Sequence, residues 1–345
     1  MLWEGVHFAP KKRARDGGWH DSGRKLDAVK KALQAALGVK AWESAEELTR
    51  GLSSAKVLGI RVGEKDYLLR VILNNDPRWH PARHYACMQL GSDAGIAPAI
   101  RYASLEDCVM ISDFIDAKPV PADMGDRMAS TLRVLHALPP FPQTVDYFKV
   151  MDGFVQRAIG RGMLPEDMQV GYSEAMLSCP RDPADLVSCH NDLKPDNILF
   201  DGERVWLIDW EAAFLNDRYV ELSVVAKFIV GDEPGAEERY LAGYFGEAAG
   251  PLRMARFFVT QQVMSVIYAA FFLEAGSKSG ARIDPPGDLP GFHALHRQLV
   301  NGKLYLLDPE VQVTYGLVHL REAQQKMRTP RWREALDVLC RSAGA

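Results

Sequence analysis

Apolar residues first fall into register at Leu26, Val29, Leu33, Ala36 and Leu37, a helical spacing that Gly38 ends. Residues ahead of it, 1–25, show no sustained period and read as an arm. The pattern then shortens. Stretches 48–52, 56–62 and 67–73 are rich in β-branched and aliphatic residues, and Gly63-Glu64-Lys65 divides the last two. They predict a β-meander. Ser44-Ala45-Glu46-Glu47 has capping-box form and serves equally as the lead into a strand. A helix is expected from Pro81, with proline at the first helical position, to about Gly95. Strands are expected at 100–103 and 107–111. Beyond 117 the period returns to that of helices, over 124–138, 146–160, 165–178, 219–229 and most of 235–343, while the Gly- and Pro-rich 276–291 reads as a loop. The expected class is α+β, with a strand-rich domain at 26–116 and a helical one at 117–345.

One stretch departs from simple periodicity. From His190 to Asn197 the chain is polar. A short apolar run follows, then Asp201-Gly202, then Val205-Trp206-Leu207-Ile208 ending in Asp209-Trp210-Glu211. Asp-Gly between two β-prone runs predicts a hairpin, because the turn needs a positive φ that glycine tolerates. Such a hairpin sets Asn197 just before one strand and Asp209 just after its partner, close to Asp192. A carboxylate able to accept a proton, beside two hard oxygen ligands, suits Mg²⁺-dependent phosphoryl transfer.

The segment His190-Asn191-Asp192-Leu193-Lys194-Pro195-Asp196-Asn197 fits the kinase catalytic frame with Asn191 in place of arginine, and Asp209 lies 209 − 197 = 12 residues after Asn197. Here the chain resembles the aminoglycoside phosphotransferase and choline kinase families, which share the protein-kinase-like fold of two lobes. Leu207-Ile208-Asp209-Trp210-Glu211-Ala212, then Asn216-Asp217 and Glu221-Leu222, is similar to bacterial choline kinase-like and thiamine kinase-like members. The absence of a Gly-x-Gly-x-x-Gly loop, of Phe-Gly after Asp209 and of a later Ala-Pro-Glu argues against a protein kinase.

The resemblance implies a set of roles. Asp192 is the catalytic base, Lys194 faces the transferred phosphoryl group, and His190 holds the loop by hydrogen bonding. Asn197 and Asp209 are the Mg²⁺ ligands. Arg70 holds phosphate oxygens of ATP, Ser53 and Ser54 lie in the loop covering the nucleotide, and the main chain near Ser112 and Phe114 reads the adenine. Glu211, Trp210 and Asp192 face the acceptor, with Gln261 and Tyr268 from an aromatic helix at 257–272. The implied reaction moves the γ-phosphate of ATP to a hydroxyl of a small cationic or amino-bearing molecule. A nucleotide-binding pseudokinase scaffold is the alternative, since no acid lies between Arg83 and Ser92, where kinases supply a helix glutamate to the strand cation. Counting places His84 near that position. His136 reads as a packed histidine, and Asp217 or Glu221 as an acid buttressing the catalytic loop.

Composition narrows the classes further. A hydrophobic fraction of 47% and a charged fraction of 25% over 345 residues suit a large buried core, and a net charge of −4 gives no reason to expect nucleic acid or an anionic membrane as partner. Five cysteines without C-x-x-C spacing read as free thiols in a reducing compartment, so a cytoplasmic location is expected. The basic run Lys11-Lys12-Arg13-Ala14-Arg15 lacks an apolar segment behind it and is not expected to be a secretory signal. The most apolar stretch, 257–273, is interrupted by Gln261 and Gln262 and reads as a buried helix.

Overall fold

The computed structural model describes residues 23–48, 55–73, 81–143, 145–179, 182–231, 233–283 and 287–343. The packing divides the chain into two units: one of residues 1–122, 137–141 and 190–214, the other of 123–136, 142–189 and 215–345. The sequence boundary at 116/117 separates strands from helices along the chain. By packing, the hairpin stretch belongs with the strands.

The first unit begins with α1 (Gly23–Leu37), then β1 (Ser44–Glu47), β2 (Ala55–Val62) and β3 (Lys65–Ile72). A short 3₁₀ turn at Pro81–Arg83 precedes α2 (Tyr85–Asp93), so the expected proline starts a tighter turn and the α-helix opens four residues later. β4 (Ile100–Ser104) and β5 (Val109–Asp113) complete an antiparallel sheet of order β1-β2-β3-β5-β4. The period-2 alternation of β2 turns Leu58 and Ile60 inward. With Leu69, Val71, Val109 and Ile111 they form a core against Val29, Ala32 and Leu33 of α1. Ser44–Glu47 is strand, so the capping-box form there starts no helix. The expected strand at 48–52 lies largely outside the described residues, as do Ser53 and Ser54.

In the second unit lie α3 (Met124–His136), α4 (Tyr147–Gly160), α5 (Glu166–Ser178) and β6 (Leu186–Cys189). The hairpin strands β7 (Ile198–Phe200) and β8 (Val205–Leu207) belong to the first unit, and β9 (Phe214–Asp217) pairs with β6. α6 (Arg218–Val225) runs on as one π-helical turn, Ala226–Val230, followed by α7 (Ala236–Phe245), α8 (Pro251–Lys278), α9 (Phe292–Val300), α10 (Pro309–Met327) and α11 (Pro330–Ala343). α8 is the axis of this unit, and α4, α5, α6, α10 and α11 all pack on it. It is long and apolar enough to cross a membrane, but 78% of its most apolar window is buried inside the fold. α10 comes close because Gly316 faces Leu273 and the Ala269 carbonyl, where a Cβ would sit 2.9 Å from the leucine side chain.

Candidate active site

The hairpin forms as its residues dictate. Ile198 pairs with Leu207, Leu199 with Trp206 and Phe200 with Val205, and Gly202 at the turn takes φ +106°. The ribbon is tied down at both edges, since Leu207 N–H donates to the Ile96 carbonyl (2.7 Å) and Lys118 N–H to that of Phe200 (2.6 Å).

The polar loop before it is locked by its own side chains. His190 is fully buried, and its Nε2–H donates to the Ile208 carbonyl (2.9 Å) while Nδ1 faces the Asp192 N–H (3.4 Å). That fixes the tautomer and leaves the ring to hold the loop, with no nitrogen for proton transfer to a substrate. Asn191 takes φ +64°, a conformation asparagine tolerates better than arginine, and its amide donates to the carbonyls of Ala212 and Phe214 (3.1 Å each). The departure from the kinase frame therefore ties the loop of Asp192 to the segment after Asp209.

Asp192 Oδ2 accepts from Lys194 Nζ and from Asn197 Nδ2, each at 2.8 Å, and Asn197 Nδ2 also reaches the Asp192 carbonyl at 2.8 Å. Burial pulls the Lys194 ammonium down, but the charges of Asp192, Asp209 and Asp196 outweigh it and hold the group above its ordinary value. The Asn197 carbonyl accepts from Ile208 N–H (3.0 Å), which brings Asn197 beside Asp209. Asp209 has φ +64° and ψ 61°, left-handed for a residue with a Cβ. A strain of roughly 1–3 kcal/mol is usual for such residues and clusters at functional positions. Asn197 is committed through its nitrogen, so its amide oxygen is the end left for a cation. With the Asp209 carboxylate it makes a hard oxygen set of the kind Mg²⁺ takes.

Arg70 projects from β3 into the same place. Its Nη1 donates to Asp209 Oδ1 (3.3 Å) and its Nη2 to Glu211 Oε1. Glu211, expected to face an acceptor, thus has one carboxylate oxygen engaged by the strand arginine. For Trp210, also expected to face the acceptor, burial corrects the expectation. It is 1% exposed, its Nε1 donates to the Leu207 carbonyl (2.9 Å), and its ring packs against His190 (4.9 Å between centroids) and Phe141 (6.2 Å). α2 presses Gly91 onto that ring so closely that a Cβ would lie 2.6 Å from two ring carbons. No face of Trp210 is left for a cationic substrate.

Ser112 is 1% exposed within β5, in register with Leu68 on one side and Ile100 on the other. Phe114 follows the last residue of β5, past the end of the ladder, and its ring edge lies over Gly59. The exit of the chain from the sheet is therefore at Phe114 and not at Ser112.

In the second unit, Gln261 donates to Glu237 Oε1 (3.1 Å), and Tyr268 lies against His319 (5.2 Å) and Phe272 (6.5 Å). They sit two turns apart on α8, as the sequence places them. Sequence reasoning missed a partly buried polar set on the same unit: Lys227 on the π-helical turn, bonded to Glu322 (2.9 Å) and over the Phe292 ring (4.5 Å). His136 is packed as expected, between Glu221 Oε2 (2.8 Å) and the Tyr244 hydroxyl (2.7 Å). Asp217 caps α6 through Tyr219 N–H (2.8 Å) and pairs with Arg256 (2.8 Å).

With this geometry in view, likeness to known proteins can be placed on it. Residues 89–257 match the model of the phosphotransferase enzyme family, APH, and that span contains Asp192, Asn197 and Asp209. Over these residues the chain is similar to phosphotransferase enzymes. The phosphotransferase segment thus bears out the expectation of an enzyme. Over 40 residues the chain is 42% identical to protein LicA of Haemophilus influenzae, a match that spans 15% of that relative's length. Among solved structures, a choline/ethanolamine kinase family protein from Mesorhizobium loti aligns with 92% of this chain and 99% of its own, with a TM-score of 0.63 and 20% identity. Spectinomycin phosphotransferase APH(9)-Ia, solved with ADP and spectinomycin, covers 91% and 97% with a TM-score of 0.54 and 12% identity. The expected α+β, kinase-like fold holds, with a small antiparallel sheet in one unit and helices dominating the other.

Proposed function

We propose that this phosphotransferase moves the γ-phosphate of ATP to the hydroxyl of a small molecule bearing an amine or quaternary ammonium. The observation that carries the reading is the clamp on Asp192: Lys194 and Asn197 both donate to Oδ2, which leaves Oδ1 to take a proton. As the acceptor oxygen bonds to phosphorus, the hydroxyl proton passes to Asp192 Oδ1, the bond from phosphorus to the bridging oxygen breaks, and ADP departs with that electron pair. Asn197 and Asp209 are the residues to hold Mg²⁺, which when bound supplies positive charge to the phosphate oxygens. Arg70 donates to those oxygens from the sheet side, and Lys194 steadies both the base and the departing charge. The ADP complex of the spectinomycin enzyme and the choline/ethanolamine family of the other neighbour support the nucleotide and the class of acceptor.

The test is ADP release by the purified protein across a panel of choline, ethanolamine, thiamine and aminoglycoside acceptors with Mg·ATP. One acceptor is expected to stimulate release, and Asp192→Asn to lower that rate by about 10²–10⁴-fold, the usual worth of a positioned base. Undiminished transfer by Asp192→Asn overturns the mechanism. Nucleotide binding without turnover across the panel overturns the reading as an enzyme of this acceptor class.

A further inference from the structure

The geometry points to Glu211 as the positioning residue for Arg70, taking on the metal-binding loop the task that kinases give to an acid on the helix after β3. This deepens the proposed function, since it concerns how the nucleotide side of that site is held.

Three observations converge. Arg70 is 11% exposed along its side chain and binds Glu211 and Asp209 through two separate nitrogens, a fork geometry that fixes the guanidinium plane. The helix that would ordinarily supply the acid cannot do so, because the one acid of α2 is Asp93 at its far end, which accepts from Gln89 (2.8 Å). Finally, α2 opens with Tyr85. This residue is 5% exposed, and its hydroxyl is buried with no hydrogen-bond partner among the described residues. Burial pushes its ionisation up, the Arg70 charge opposes that and the Glu211 charge adds to it. The negative charge beside the arginine thus comes from the loop and not from α2.

The arrangement has a consequence for binding. Glu211 lies two residues from Asp209, so the acid that orients the phosphate-binding cation and the ligand for Mg²⁺ sit on one 3₁₀ turn. Arg70 and the metal position are then set by the same short segment, whose backbone is anchored through Asn191 and the buried Trp210.

The experiment is a double-mutant cycle on the full chain: Arg70→Met, Glu211→Gln and both together, read by kcat/KM for Mg·ATP and by displacement of a fluorescent ATP analogue. Each single change is expected to lower kcat/KM by about tenfold, and the pair by little more than either, because residues that act through one contact are non-additive. Glu211→Asp is expected to retain most of the activity. Tyr85→Glu added to Glu211→Gln is expected to restore at least half of the loss, whereas Tyr85→Gln does not. Thermal melts verify that every variant folds, and Arg70→Lys replaces Arg70→Met in the cycle if the latter does not. Multiplicative losses of about a hundredfold in the pair overturn the inference. So does a Glu211→Gln effect confined to the KM of the acceptor. If no acceptor supports turnover in the wild type, the proposed function fails, and the binding arm of the cycle still decides the role of Glu211.

Discussion

Two arginines in this molecule each lie between two carboxylates, and their settings differ. Arg256, on α8, pairs with Asp217 (2.8 Å) and Asp185 and stacks over Tyr219 (4.9 Å). Arg70, on β3, pairs with Asp209 and Glu211. The acids around Arg256 have side chains 10% and 18% exposed, whereas those around Arg70 are 33% and 22% exposed. Asp217 also caps a helix in ordinary geometry, while Asp209 is held left-handed next to Asn197 and the Asp192 clamp. The lesson is that charge pairing alone does not mark a site. What separates the two is access for a ligand, backbone strain and further oxygen ligands alongside.

That contrast can be broken in order of effect. The largest change expected is in Asp192→Asn, which removes phosphotransfer while leaving the melting temperature near that of the wild type. Arg256→Met strands two carboxylates in the helical unit and should destabilise by about 3–5 kcal/mol, read by urea denaturation. Arg70→Met should cost far less, under about 1 kcal/mol of stability, since its partners reach water, while impairing nucleotide use. Equal stability losses in the two variants would erase the distinction.

Smaller effects sharpen it. Gly91→Ala forces a methyl group into the Trp210 ring and should cost about 1–3 kcal/mol by overpacking, with a parallel loss of activity because Trp210 backs His190. Glu274 supplies a control far from the catalytic loop in sequence. Burial pushes its carboxyl up, but hydrogen bonds and charge from Arg157 and Lys278 outweigh this and hold it below the ordinary glutamate value. A depressed carboxyl contributes stability that is present above its unfolded value and lost as pH falls through the folded one. The stability gap between wild type and Glu274→Gln should therefore narrow as pH drops below the usual glutamate range, with no change in activity at neutral pH.

The parts of the site that were readable in the sequence are those set by local rules. The Asp201-Gly202 turn between alternating runs specified the hairpin, and the hairpin specified that Asn197, Asp209 and Asp192 meet. The helix at α1 and the strands β2 to β5 followed from period alone. What remained hidden depends on partners distant in sequence. Nothing near Glu211 announces Arg70, which lies 141 residues away, and nothing in Trp210 announces that Gly91 of α2 will close over it. A count along α2 is only as good as its starting residue, and this helix opens at Tyr85 after a 3₁₀ turn. The π-helical turn that presents Lys227 has no signature in residue pattern.

The account's central claim is that residues 190–211 build one centre for a metal-bound nucleotide, and its most direct test is a titration of ATP into wild type and Asp209→Asn, with Mg²⁺ and with excess chelator. The account predicts that chelator or the substitution weakens binding by about tenfold or more, and that the two together are no worse than either alone. Binding of equal strength in all four conditions would contradict it.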